Sequence, residues 1–300
     1  MNSPSDFLGN LYEPYEKLLR KIQKPENNPD TIYHYTSASG LNEILRTSKL
    51  WFTRRDCLND PTEHKHIHEI IDICLNKSEA DSEFINHVRN FNNRLLECKG
   101  DNSWLSIDKG VFIASFSEDG NSIPLWMNYT KSSQYNGYCL GFDSKGIRKK
   151  CSSMCVAPVI YDDIKKENYI NEFLNLLENI WNRQTSNQEQ RNKVINEIQH
   201  TMLDFTSEVG SLFKDSCYAH EKEVRIILHA GTRNKNTAIR SSNGHLIPYI
   251  PVPFVKTLVK SIMSSPTLNA ERACSGIRAT TAHYGYKVEI LHSTLPLRNV

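Results

Sequence analysis

The chain has 300 residues, 39% of them hydrophobic, with 13 Tyr, 11 Phe and 4 Trp; this suffices for a substantial core, in two domains or in one large domain with insertions. A formal net charge of +2 and a pI near 8.0 exclude a histone-like or polyanion-coating protein but leave room for local basic patches. No apolar run approaches the roughly 20 residues of a membrane span, the 8 Cys follow no regular spacing and no cationic, apolar leader opens the chain, so we expect a soluble cytoplasmic protein with free thiols and no membrane partner.

Asp6 to Gln23 sets Phe7, Leu8, Leu11, Tyr12, Tyr15, Leu18 and Leu19 at helical spacing beside Lys17, Arg20, Lys21 and Lys24, which reads as a partly basic amphipathic helix. Pro25 to Asp30 breaks it, so residues 1–30 read as an N-terminal helical extension before a main domain over 31–300. Thr31-Ile32-Tyr33-His34-Tyr35-Thr36-Ser37 reads as a strand. Alternation sets Tyr33 and Tyr35 on one face and His34, with Ile32 and Thr36, on the other. The imidazole is then either a core group bonded to backbone or a functional group held on a rigid element. A helix over Ser39–Lys49 and a strand Leu50-Trp51-Phe52-Thr53 follow. In Leu58-Asn59-Asp60-Pro61-Thr62-Glu63, Asp60 suits an N-cap, Pro61 the first helical position and Glu63 the capping-box place, so a helix should run from here towards Leu75. His64 and His68 share a face of it with Asp72 and could meet a divalent metal, or stand solvated.

A helix Glu83–Cys98 precedes a strand Val111–Ser117. Ile123–Tyr129 is a short helix entered through Ser122 and Pro124, with Trp126 and Tyr129 on one face, where both rings could be core. Strands Tyr138–Phe142 and Val156–Tyr161 come next. Lys165–Phe213 reads as a helical pair around a polar turn at Asn182–Gln188, and this pair and the stretch near 61–100 read as helical insertions. The β-branched run after Glu223 argues for a strand that puts Glu221, Glu223 and Arg225 on one face. That face is either an exposed salt-bridged edge or a pair of carboxylates awaiting a cationic ligand or developing positive charge. Strand material at Ile247–Val252 and Val255–Ile262, a helix Ala270–His283 and a strand Lys287–Leu291 complete the chain. Strands separated by unequal helical stretches argue for an α+β fold over regular βαβ alternation. Gly-x-Gly-x-x-Gly and the phosphate-loop pattern are absent, which leaves Rossmann and kinase-type nucleotide sites unsupported.

Tyr33 to Thr36, Leu58 to Glu63, Phe116-Ser117, Trp126 to Tyr129 and Glu221 to Arg225 occur in the order in which a bacterial domain-of-unknown-function family carries Tyr-His-Tyr-Thr, Leu-Asn-Asp-Pro-x-Glu, Phe-Ser, Trp-x-x-Tyr and Glu-x-Glu-x-Arg. The chain resembles that family over about residues 31 to 298. The family in turn resembles divergent ADP-ribosyltransferases of the His-Tyr-Glu type.

The resemblance implies a split β-sandwich and NAD as co-substrate, without a metal. By it, His34 meets the adenosine-side ribose with Tyr35 and Thr36 beside it, Ser117 and Trp126 line the cofactor site, and Tyr129 stacks on nicotinamide. Glu223 serves the ribose under attack and Glu221 the acceptor. Breaking the nicotinamide–ribose bond builds oxocarbenium-like charge. A fixed carboxylate stabilises such charge, and loss of a preorganised group of this kind commonly costs ~10² to 10³ in rate; Glu221 could deprotonate the nucleophile. Glu223→Gln is then expected to abolish activity and leave the fold intact. The resemblance further implies a toxin or anti-phage defence effector with a macromolecular acceptor and, as partner, an antitoxin or regulatory protein. Arg54-Arg55, Arg148-Lys149-Lys150 and the basic first helix set nucleic acid slightly ahead of protein as acceptor. Two other readings compete: a metal-dependent hydrolase or nuclease using His64, His68 and Asp72, and a non-catalytic nucleotide-sensing module.

Overall fold

The computed structural model describes residues 11–24, 29–58, 63–97, 110–130, 135–151, 154–183, 187–230, 234–242 and 244–297, with backbone alone for Glu63 and His64. The elements run α1 (Tyr12–Gln23), β1 (Thr31–Thr36), α2 (Ala38–Thr47), β2 (Lys49–Arg54), α3 (Glu63–Lys77), α4 (Ser82–Glu97), β3 (Val111–Ser117), α5 (Ile123–Tyr129), β4 (Tyr138–Asp143), α6 (Ser144–Lys150) and β5 (Cys155–Pro158). They continue with α7 (Asp163–Trp181), α8 (Gln188–Val209), β6 (Glu223–His229), β7 (Ala238–Ser242), β8 (His245–Pro253), β9 (Val259–Ser264), α9 (Ala270–Tyr284) and β10 (Glu289–His292). Short 3-10 turns lie at Arg55–Cys57, Ser216–Glu221 and Lys256–Leu258.

Mixed α/β architecture results, built on one open 10-stranded sheet. Its middle strands β3 and β6 are buried on both faces for nearly their whole length, as strands covered on both sides are. β6 pairs with β3 along its whole length, from Val111↔His229 to Ser117↔Glu223. The other edge of β3 is shared: β2 pairs at Phe112 and Ile113, and β1 pairs only at Ser117, through Tyr33. Between them, at Ala114–Phe116, no strand takes the edge among the described residues, and the sheet splits there into two wings. One wing runs β1–β4–β9–β10 and the other β2–β8–β7.

Side-chain alternation then divides the core. Val111, Ile113 and Ile227 face a helical layer formed by α1, α3, α4, α7 and α8, where Tyr15, Ile71, Phe91, Phe173 and Phe205 are buried together. Phe173 and Phe205 stack at 3.8 Å and tie α7 to α8. Phe112, Ala114, Phe116, Val224 and Ile226 face α2, α6 and α9 through Leu41, Leu45, Ile147 and Ile277. A third, small cluster joins Tyr35, Leu125, Trp126 and Cys139.

Several expectations need correction. The apolar face of α1 shares its core with the helices near 61–100 and 165–213, because Tyr15, Leu18 and Ile22 are all buried there; on its basic face Lys21 pairs with Glu172. Glu221 precedes the strand instead of standing on it: it closes a 3-10 turn, and Lys222 takes a left-handed φ of 45° before β6 begins. Val255 to Leu258 is a turn rather than strand, and α6 and β7 had no counterpart in the sequence reading. Asn59 to Thr62, which carry the cap reading, lie outside the described residues, as does Cys98. Among the described residues, no helix is long and apolar enough to cross a membrane.

Candidate functional site

The motif strands are immediate neighbours, in the order β1, β3, β6. Ser115, Ser117, Glu223 and Arg225 share the face of the sheet that carries the helical layer, since Ser115 pairs with Arg225 and Ser117 with Glu223. Glu223 receives two hydrogen bonds from Arg225, Nε at 2.8 Å and Nη2 at 2.9 Å, and a third from Lys214 Nζ at 3.2 Å. Lys214 also donates to Glu221 Oε2 at 2.5 Å, and Tyr129 Oη donates to Glu221 Oε1 at 2.7 Å. Relative exposures of 4% for Glu221, 6% for Glu223, 5% for Lys214 and 1% for Arg225 make this a dry cluster, formally neutral. Burial pushes the Glu223 carboxyl up, but Arg225, Lys214 and a hydrogen bond from the Ser115 side chain outweigh it and hold the group down at about 2. Tyr129 is shifted the other way, by burial and by the two carboxylates, and stays protonated. The like charges of the Glu-x-Glu motif therefore already have their cations inside the chain.

His34 stands at the split. Its Nδ1 lies 2.9 Å from the Ser115 carbonyl oxygen, which can only accept, so Nδ1 carries the proton. Burial, and secondarily the charge of Arg240, lower the imidazole's pKa against the raising effect of the Ser115 bond, which leaves a neutral ring with Nε2 as acceptor. The ring centroid is 5.6 Å from that of Phe116, on the face opposite Tyr35, as alternation requires. Ser115 thus lies between both parts of the site: its carbonyl takes His34, and its side chain shares a face with Glu223 and Arg225.

The remaining residues expected at a cofactor site divide differently. Trp126 is fully buried, donates through Nε1 to Asn121 at 3.1 Å and meets Tyr35 edge-on at 4.9 Å. Tyr35 Oη donates to the Asp119 carbonyl and accepts from the Ser122 amide. Both rings are structural, fastening α5 to β1. Ser117 Oγ donates to the Glu221 carbonyl at 2.6 Å and accepts from the Asp119 amide, which positions the 3-10 turn. Thr36 is closed against α2: a Cβ added at Gly40 would stand 2.1 Å from Thr36 Oγ1, so only glycine lets the helix start this close. Of the expected set, Tyr129, Glu221 and Glu223 come together directly, and His34 joins them through Ser115.

An open cleft of about 310 Å³ adjoins the start of β6, at the low end for small-molecule sites. Lys24, Lys165, Lys222, Glu118, Tyr161 and Tyr169 line it with Glu223, whose amide donates to Tyr161 Oη at 3.0 Å. Lys214, Ser115 and Tyr161 had no sequence signal, because a lysine in a polar turn and a serine in an apolar strand resemble many others.

The other charged motifs are engaged elsewhere. Arg54 pairs with Asp56, Arg55 is buried with Nη1 on Ser211 Oγ, and Arg148 donates to the Val156 carbonyl, so Arg54-Arg55 is no free basic patch; Lys149 and Lys150 are exposed. His68 Nδ1 lies 2.7 Å from Asn92 Oδ1, and Asn92 Nδ2 donates to Asp72. The side chain of His64 lies outside the described residues; among those described, no group of three or more His, Cys, Asp and Glu could hold a metal ion.

Residues 125–226 match a family model described as a protein of unknown function, DUF2971. The match takes in Trp126, Tyr129, Glu221, Glu223 and Arg225 and leaves out His34. No curated protein matches the chain, and no solved structure does.

Proposed function

We propose that the chain is an NAD-dependent ADP-ribosyltransferase with the fold of a split β-sandwich, acting on a macromolecule inside a bacterial cell as a toxin or defence effector. The observation that carries the reading is the arrangement around Ser115: a neutral imidazole from β1 bonds to its carbonyl, and the Glu223 carboxylate of β6 lies on the face of its side chain, at the place where the sheet opens. Adjacency of the three motif strands, and a split along one edge of β3, are what that fold needs.

NAD would supply the ribosyl group and a leaving base, which departs with the electrons of its bond to the ribose. The chain's own residues supply orientation and charge. His34 Nε2 accepts from a ribose hydroxyl. Glu223, ionised at neutral pH, faces developing positive charge with a carboxylate already fixed in place. Glu221, on the hydroxyl of Tyr129, takes the proton of the attacking nucleophile as that nucleophile bonds to the ribose. No step calls for a metal. Lys24, Lys165 and Lys222 around the cleft favour a phosphate-bearing acceptor, which keeps nucleic acid ahead of protein after the loss of Arg54-Arg55 as a patch.

One observation favours a second reading, a nucleotide-sensing module without turnover. Arg225 and Lys214 neutralise both carboxylates, and a Glu223 held by three cationic donors has little charge left over for a substrate. Incubation with labelled NAD and cell extract separates the two. Nicotinamide release with transfer of label supports the transferase, and nuclease against protease digestion of the labelled product identifies the acceptor. A rise in thermal stability with NAD and no release supports the sensor.

A further inference from the structure

The wing formed by β2, β8 and β7 carries an aromatic and cationic group. Trp51 and Tyr249 meet with ring centroids 4.7 Å apart. The Arg240 guanidinium lies over Trp51 at 5.4 Å, and its Nη2 donates to Thr53 Oγ1 at 2.9 Å. Strand registers set Trp51, Thr53, Tyr249 and Arg240 on one face, the same face as Ile113 and Ser115 of β3. Arg240 differs from its neighbours in its partners. Arg54 and Arg225 each have a carboxylate, whereas Arg240, half-buried, has none among the described residues, and its Nε is shielded from solvent with no partner there. A desolvated cation with one neutral hydrogen bond is unfavourable unless an anion completes it.

Its position specifies which anion. Thr53, which steers Arg240, pairs with Ile113, and His34 is held by Ser115, two residues further along β3 and so roughly 7 Å away. By register Arg240 stands on the sheet face of Ser115 and His34 on that of Phe116, so the fork-shaped cation and the neutral acceptor flank the split from opposite faces, and a nucleotide that meets both lies across it. Arg240 also acts electrostatically on His34, against its protonation, which preserves the ring as an acceptor for a hydroxyl. We propose that Arg240, seated on Trp51 and steered by Thr53, binds the diphosphate of an adenine dinucleotide whose adenosine ribose meets His34. The proposal rests on the dinucleotide reading above and adds to it an anchor on the opposite wing; it concerns binding alone.

The test is titration of the full chain with ADP-ribose, which has the diphosphate but no nicotinamide to lose, and with adenosine, which has neither. Arg240→Gln should weaken ADP-ribose by roughly tenfold or more and leave adenosine unchanged, as loss of a charge-assisted fork predicts. Should the variant not fold, pyrophosphate should displace ADP-ribose from the wild-type chain. Equal ADP-ribose affinity in Arg240→Gln, no competition by pyrophosphate, or no ADP-ribose binding by the wild type overturns the proposal. So does a variant that loses a single-stranded RNA oligomer and keeps ADP-ribose, since the face would then read nucleic acid. Absence of nicotinamide release with ADP-ribose binding intact sinks the transferase reading and leaves this one standing.

Discussion

The two ends of the site, joined at Ser115, are built on opposite terms. Around Glu223 the buried charges partner one another, so the carboxylates are fixed in place and stabilised by Arg225 and Lys214. Among the described residues, the edge of β3 around His34 lacks a strand and Arg240 has no carboxylate, and the imidazole is neutral with one nitrogen committed. The difference separates stability from recognition. Removing a group at the first end should disturb the fold, whereas removing one at the second should disturb a ligand.

Glu223→Gln breaks the comparison most severely. It leaves Arg225 and Lys214 buried with one carboxylate between them, and it should lower stability by about 3–5 kcal/mol in urea unfolding. The expectation from sequence, that this variant keeps its fold and loses only activity, is therefore withdrawn. Pairing it with Arg225→Met should cost less than the two changes summed, because the partners are in contact. Trp126→Ala follows at about 3 kcal/mol or more, from the cavity beside Tyr35 and the lost bond to Asn121, and a conservative Trp126→Phe should leave NAD affinity unchanged in titration. Tyr129→Phe, which deletes only the hydroxyl on Glu221, should cost about 1–3 kcal/mol by the same unfolding measurement.

The smallest effect is the dependence on pH. Glu223 has a folded pKa below its ordinary value, so its contribution is present at neutral pH and is lost as pH falls from the ordinary carboxylate range towards about 2. His34 is also depressed. The unfolded chain then binds the proton more readily, and stability falls as pH drops through the ordinary histidine range. Unfolding midpoints of the wild type and of His34→Asn, alike near neutral pH, should separate as pH falls through that range, with the variant flatter.

Local rules made one side of this legible and long-range ones hid the other. Alternation in β1 was enough to set His34 opposite Tyr35, and Ser122 with Pro124 was enough to start α5, because both depend on a few neighbouring residues. The same alternation, applied through Glu221, runs two residues too far, since the left-handed Lys222 interrupts the strand. Lys214 sits close to Glu221 in sequence, yet only the closing of the 3-10 turn aims it at both carboxylates. The split itself depends on which strands share the edge of β3, and no run of residues encodes that pairing by its own pattern. Ser115, the residue that joins the two ends, therefore looked like one more small residue in a buried strand.

The central claim is that the His34 imidazole and the Glu223 carboxylate, on either side of Ser115, act together on a dinucleotide. Nicotinamide release from NAD, followed in cell extract for the wild type and for His34→Asn, tests it most directly. The account predicts release matched by transfer of label in the wild type, and loss of both in a variant that melts as the wild type does near neutral pH. NAD that raises the melting temperature of the wild type without any release, or a His34→Asn variant as active as the wild type, would contradict it.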